Sequence, residues 1–285
     1  MLTFVAWLAN RGLTAKTICV YLAGIRQGHI VEGLTPLVIG TPLVNMVIDG
    51  KKHMDAFKSK TSGDKSRLPM TADLMKLLKE EIRMDNIDER DKLLLWTVAA
   101  LAFNGGFRIH ELLTRKASTF DPDFSLLRRD LSAKTFKVGK QNLSSIQVLI
   151  KSEKKDRIGA GTIVDVYESG GQICPVRAYK KWEKANPSSK KKRPAFLESS
   201  GKPLTGRRFN SFLKKYLSKY TAGTGRPITS HSFRSGLATM MGELGFGDDD
   251  IKAVGRWSSR CFEDYLKLPR TKRAIMAKKI GELGL

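Results

Sequence analysis

His231 and Arg234 stand three residues apart in the run His-Ser-Phe-Arg-Ser-Gly-Leu-Ala-Thr (231–239). On a helix that spacing puts both side chains on one face. An imidazole that handles protons, beside a guanidinium fork, suits a phosphate whose charge rises during reaction. A Gly-rich turn with three acids follows (245–250), then Ile251-Lys-Ala-Val-Gly-Arg-Trp-Ser-Ser (251–259), then a second helical pattern, Phe262-Glu-Asp-Tyr265. A phenol is a poor nucleophile at neutral pH unless cations surround it. Taken singly, these residues have plainer readings. A lone histidine is more often structural, and Tyr265 with Phe262 and Leu266 fits the buried stripe of an amphipathic helix.

In combination the residues resemble a known family. His-x-x-Arg, then Gly-[His/Trp/Arg]-x-Ser, then a tyrosine nine residues after the bracketed position is similar to the C-terminal signature of the tyrosine recombinases, the phage-integrase family. That family carries an upstream motif, Gly-x-Arg-x-x-Glu-Leu on a helix. Here it is matched by Gly106-Phe-Arg108-Ile-His-Glu111-Leu112, about 120 residues earlier and in the expected order. Either motif alone is weak; the ordered pair is specific. The run Gly-Arg-Trp-Ser-Ser most resembles eukaryotic members encoded by DIRS-like and Crypton-like mobile elements.

The resemblance implies an active site of two arginines, a lysine, two further polar residues and a tyrosine. Arg108 and Arg234 correspond to the paired arginines that hold the non-bridging oxygens of the scissile phosphate, a task for a planar, permanently charged fork. Alone, Arg108 reads as a surface ion pair with Glu111; within the motif, Glu111 takes the supporting acidic position, orienting an arginine or His231. His231 matches the acid–base or hydrogen-bonding group near the attacking phenol. Tyr265 matches the nucleophile, which leaves a 3′-phosphotyrosyl bond and a free 5′-hydroxyl. The position nine residues before it is usually His or Trp in bacterial and phage members; here it is Arg256, with Trp257 beside it, and either residue can fill the role. The family's lysine lies in a hairpin between two strands and protonates the leaving 5′-oxygen. Lys154 fits best, through Lys-x-Asp-x-x-x-x-Gly (154–161), with Lys155 and Lys151 as alternatives. Covalent storage of the bond energy implies no cofactor and no metal.

Elements able to position these groups are legible in the hydrophobic periodicity. Residues 2–10 read as a helix with Phe4, Trp7 and Leu8 on one face, ended by Gly12; Thr14 caps a second, from Lys16 to His29, with Ile18, Tyr21, Leu22 and Ile25 apolar. Met46 to Phe57 reads as a third, with Val47, Met54 and Phe57 apolar. This unit (1–57) resembles the family's core-binding domain. It begins inside an amphipathic pattern, so its first helix is expected to be missing. Residues 58–68 carry no core-forming side chain before Leu68 and read as a linker. The catalytic domain (69–285) opens at Pro69, with Thr71 a candidate N-cap. Helices are expected over 72–84, over 90–103 (apolar nearly all round, hence buried), over 175–184 and over 205–220, the last basic and amphipathic. Thr229 or Ser230 is expected to cap the helix carrying His231. Strands are expected near Ser125–Leu131, over 146–151 and over 162–167. The basic loop 186–194 suits a solvated surface, a phosphate contact or a nuclear import signal. Residues 269–285 have Ile275, Met276 and Ile280 at helical spacing and are expected to dock on a neighbouring subunit.

With 285 residues, 41% hydrophobic, the chain is long enough for two domains with their own cores. A formal charge of +23 favours a polyanionic partner. No transmembrane run, basic amphipathic helix, lipidation motif or signal peptide stands out, so no membrane partner is expected. Cys19, Cys174 and Cys261 are too few and too scattered for a metal cluster or a disulfide framework, which fits a reducing compartment. The expected fold is therefore mainly α with a small antiparallel β-sheet, forming a C-shaped clamp on double-stranded DNA. Lys16, Arg26, Lys58, Lys60, Lys65, Arg67, Arg207, Arg208 and Lys214 are the expected DNA contacts. The expected function is site-specific cleavage and rejoining of DNA for a mobile element. The resemblance implies a homotetramer on synapsed sites, with monomer or dimer when free, acting in the nucleus of a eukaryote or otherwise in the cytoplasm or at the nucleoid. Two rivals share parts of this pattern: a type IB topoisomerase-like DNA relaxase, and a domesticated DNA-binding protein without cleavage activity.

Overall fold

The computed structural model describes residues 1–36, 40–61, 67–116, 118, 120–151, 161–187 and 192–257. Tyr265, Lys154, Lys155 and Lys65 lie outside them, as do the segment 269–285 and part of the basic loop. The chain divides into two compact units, Met1–Ser66 and Arg67–Leu285.

The first unit is three helices: α1 (Leu2–Asn10), α2 (Ala15–Val31) and α3 (Pro42–Thr61). Pro42 opens α3 because its fixed φ suits a first helical turn. Gly12, at φ +82°, ends the α1 turn, and the Thr14 hydroxyl caps α2 by accepting from the Thr17 amide at 3.3 Å. The Asp55 carboxylate of α3 accepts from the Ala15 amide at 2.7 Å and pairs with Lys51, tying α3 to the N-terminus of α2. The core consists of Val5, Leu8, Ala15, Ile18, Leu22, Val44 and Ile48. Three of the expected stripes need correction. Trp7 is 48% exposed and stacks under Arg11 rather than in the core. Tyr21 is exposed on α2, and Met54 and Phe57 are exposed on α3, where Val44 and Ile48 face inward instead. Short helices with apolar residues on several faces leave the inward face to be chosen by the partner helices.

The second unit is built around α5 (Glu89–Asn104), in which every residue from Leu94 to Phe103 is buried. Helices α4 (Ala72–Met84), α7 (Pro175–Ala185), α8 (Gly206–Thr221) and α9 (His231–Glu243) complete its main helical layer, followed by α10 (Asp248–Gly255). The short α6 (Ile109–Leu112) follows α5 directly. Thr71 caps α4, accepting from the Leu74 amide at 3.2 Å. Met70 donates its amide to the Ser232 carbonyl at 2.8 Å, so the entry to this unit lies along the start of α9. A Cβ at Gly236 would come within 1.9 Å of the Met70 carbonyl oxygen, which explains a glycine inside that helix.

Three antiparallel strands, β1 (Leu131–Val138), β2 (Gln141–Ile150) and β3 (Thr162–Tyr167), pair in the order β1-β2-β3. Ile146, Val148 and Ile150 alternate onto the buried face of the central strand. The strand expected near Ser125–Leu131 is not there. Leu126 and Leu127 are buried, but the Asp130 carboxylate accepts from the Leu127 amide at 2.8 Å and closes a 3-10 turn over Arg128–Asp130. The real first strand begins at Leu131 and carries exposed Lys134 and Lys137, a solvent-facing pattern without an apolar run. The expected cap of α9 also differs. Neither the Thr229 nor the Ser230 hydroxyl caps it; the Ser232 hydroxyl accepts from the Thr229 amide at 3.0 Å.

Candidate active site

Three segments meet at the N-terminal half of α9. At the end of α5 the chain turns through Gly105 and Gly106, and Gly106 has φ +55°, a conformation that a Cβ would strain. A Cβ there would also stand 2.9 Å from the Leu237 side chain of α9. This close approach brings the Gly106 carbonyl to Arg234. That arginine is only 5% exposed, and its Nη1 donates to that carbonyl. Arg108 follows as the residue that opens α6, and its side chain remains 39% exposed.

The third segment is the end of α10. Arg256 occupies the left-handed region at φ +54°, a place usually given to glycine at a helix C-terminus. A non-glycine residue there costs on the order of 1 kcal/mol. The bonds that its side chain makes offset that cost. Nη2 lies 2.6 Å from Glu111 Oε2, Nη1 donates to the Gly105 carbonyl at 3.0 Å, and the guanidinium sits 4.8 Å from the centroid of the Phe107 ring. The same backbone turn folds the Trp257 ring over Gly255, where a Cβ would be 1.6 Å from it. Trp257 is 8% exposed and packs with Leu237, Ala238, Met241 and Ile251. Its ring lies under the Arg234 guanidinium at 4.4 Å.

Glu111 joins the set. Its carboxylate takes Arg108 Nη1 on Oε1 at 2.9 Å, and the Arg108 amide and Arg256 on Oε2. One buried carboxylate thus holds two guanidinium groups in charge-assisted pairs. Arg108, Glu111 and His231 open onto one cleft of about 620 Å³, with His110, Arg115 and the turn Asp121–Ser125 in its wall. Partial desolvation pushes the His231 imidazole below its usual value of 6.5, and the charges of Arg67, His110, Arg234 and Arg108 push it the same way. It is therefore neutral at neutral pH and able to accept a proton. His110 is lowered too, by burial and by Arg115. The arrangement can bind a phosphate, neutralise charge on its oxygens and receive a proton beside it. Among the described residues no cluster of His, Cys, Asp or Glu could hold a metal.

The remaining candidates fall elsewhere. Lys151, the third lysine considered, has its Nζ 2.7 Å from Asp130 Oδ2 and 2.9 Å from the Pro122 carbonyl oxygen. Lys16 and Arg26 are exposed on α2 and Lys58 on α3, while Lys60 falls in the last turn of α3. Arg207 and Lys214 line a second cleft of about 660 Å³ with His110, Arg115 and Lys116. Arg208 instead reaches Glu198 at 3.6 Å and the Phe212 ring at 4.5 Å. Arg67 is exposed, and its charge acts on His231. Sequence reasoning missed the Gly105 and Gly106 carbonyls as arginine acceptors and His110 and Arg115 as cleft residues. The Asn-Gly-Gly run before Arg108 was the available signal.

No family profile matches the chain, and no curated protein matches it. Solved structures do. The Tn1549 transposon integrase (residues 82–397), in complex with circular intermediate DNA, superposes with a TM-score of 0.56 at 14% identity, over 98% of this chain and 84% of that one. Its Y379F variant, bound to transposon right-end DNA, gives 0.54 at 14% identity over 97% and 83%. The XerH site-specific recombinase on its palindromic difH substrate, in a post-cleavage complex, gives 0.52 at 15% identity over 77% and 54%. The fold is that of the tyrosine recombinases. Within that recombinase fold, Arg108, Glu111, His231, Arg234 and Arg256 lie around or against one cleft although up to 148 positions separate them (256 − 108).

Proposed function

We propose that this chain is a tyrosine recombinase that cleaves and rejoins duplex DNA at specific sites on behalf of a mobile element. The observation that carries the reading is the Glu111 carboxylate holding Arg108 and Arg256 at 2.9 and 2.6 Å, beside Arg234 and a neutral His231. In this reading Arg108, Arg234 and Arg256 neutralise the non-bridging oxygens of the scissile phosphate. His231 accepts the proton of the Tyr265 phenol as its oxygen bonds to phosphorus. The bond from phosphorus to the 5′-oxygen breaks, and that oxygen takes a proton from Lys154. The reverse step, with a 5′-hydroxyl from another strand, rejoins the DNA. The DNA-bound state of the integrase and of XerH supports duplex DNA as partner. Assembly as a tetramer on two synapsed sites completes the proposal.

The test is covalent trapping on a nicked duplex that loses its 5′-hydroxyl fragment after cleavage. The wild-type chain should form an adduct resistant to denaturant, and Tyr265→Phe should form none while still binding the duplex. An adduct that persists in Tyr265→Phe would remove Tyr265 from the role. Absence of any adduct with the wild type would favour a DNA-binding protein without cleavage.

A further inference from the structure

The pair Asp130–Lys151 lies outside the phosphate-binding cluster, and nothing derived so far uses it. Asp130 is buried, its side chain 3% exposed, and the Lys151 side chain is 14% exposed. Their 2.7 Å contact ends β2 at its last described residue. Removing either partner from such a pair leaves a buried charge uncompensated, so the contact is geometrically stiff. Lys151 also donates to the Pro122 carbonyl at 2.9 Å. Pro122 belongs to the turn Asp121–Ser125, closed by the Ser125 amide on the Asp121 carbonyl at 2.8 Å. Asp121, Phe124 and Ser125 of that turn line the cleft that holds Arg108 and His231. Asp130 is itself fixed, since Oδ2 accepts from the Leu127 amide at 2.8 Å. One ammonium therefore ties the end of β2 both to a buried anchor and to the wall of the cleft. Across the ladder, Ile150 pairs with Thr162, and Gly161 has φ +72° with room for a Cβ only 3.0 Å from the Ile150 carbonyl oxygen. Both ends of the β2–β3 connection thus leave the sheet in a fixed place.

We propose that Asp130 and Lys151 are positioning residues for proton delivery: their pairing, with the Pro122 contact, sets where the β2–β3 connection stands relative to the Arg108–His231 cleft, and so holds Lys154 at the leaving 5′-oxygen. This rests on the strand-transfer reading. Lys151 is not the proton donor in this scheme, because two of its three N–H groups are committed to Asp130 and Pro122. Loosening the tie should weaken one step only, protonation of the leaving oxygen, and leave phosphate binding and attack intact.

The experiment compares single-turnover adduct formation on two duplexes, one normal and one with sulfur replacing the bridging 5′-oxygen. Sulfur departs as a thiolate and needs no proton. Asp130→Asn and Lys151→Met, each confirmed as folded by thermal melting, should cleave normal DNA about 10- to 100-fold more slowly, the usual cost of losing a supporting contact. On the sulfur substrate both should approach the wild-type rate, as Lys154→Ala should. Lys151→Arg keeps donors at the same place; it is the mildest variant, should show a smaller version of the same selective loss, and carries the test if the other two unfold. Equal slowing on both substrates, or no slowing on either, would overturn the positioning role while the strand-transfer reading stands. If the wild type forms no adduct on either substrate, the strand-transfer reading itself fails and this inference falls with it.

Discussion

Two adjacent residues, Arg256 and Trp257, compete for one role, and their surroundings separate them. The Arg256 guanidinium reaches Glu111 and the Gly105 carbonyl, while the Trp257 ring is buried against Gly255 and under Arg234. Arg256→Ala should therefore keep its fold and lose cleavage by about two to three orders of magnitude, as loss of a preorganised donor to a developing charge does. Trp257→Ala should lower stability by about 3–5 kcal/mol, as truncation of a buried aromatic does. Thermal melts beside single-turnover cleavage check both; a stable but inactive Trp257→Ala with an active Arg256→Ala would reverse the assignment. His231 gives a second test. In the free protein its folded pKa lies below 6.5, so the unfolded chain binds more protons as pH falls through that value, and the contribution of neutral His231 to stability is lost from there downward. NMR titration should place its midpoint below the ordinary histidine value. Adding duplex DNA should raise it, because the phosphate offsets the surrounding guanidinium charges. A midpoint above 6.5 without DNA would contradict the cationic surroundings.

At the scale of elements, the site depends on how closely α5, α9 and α10 approach. Gly106 and Gly255 permit that approach, one against Leu237 and the other under Trp257. Gly255→Ala places a methyl carbon where the Trp257 ring stands, and the ring must move off Arg234. We expect a loss of about 1–3 kcal/mol from overpacking, together with slower cleavage, because Arg234 loses its aromatic platform. Denaturant melts and adduct formation should fall together; unchanged stability would show that α10 and Trp257 pack in another way.

For the whole molecule, the charge of +23 is the dominant feature. If 6–10 lysines and arginines contact phosphates, affinity for duplex DNA should fall by roughly 10³- to 10⁵-fold between about 50 and 200 mM salt. A fluorescence anisotropy titration across that range measures the slope, and an affinity that ignores salt would remove the basic clamp. No helix among the described residues is long and apolar enough to cross a membrane.

The amino-acid sequence by itself determined the chemistry and much of the scaffold. Spacing named Arg108, Glu111, His231, Arg234 and Arg256, because short motifs keep their residues together whatever surrounds them. The all-apolar stretch Leu94–Phe103 announced a buried central helix, and hydroxyls at Thr14 and Thr71 announced two helix starts, since these are local properties of a few residues. Where neighbours in space decide, the sequence misled or stayed silent. The apolar residues at 126 and 127 pointed to a strand, but the carboxylate of Asp130 closes a turn there and β1 begins at Leu131 with lysines outward. Trp7, Met54 and Phe57 were placed in a core from which the partner helices exclude them. Only the tertiary structure brought Arg256 to a carboxylate 145 positions earlier and Lys151 to Asp130 and Pro122, because such pairs exist only once the chain has closed on itself.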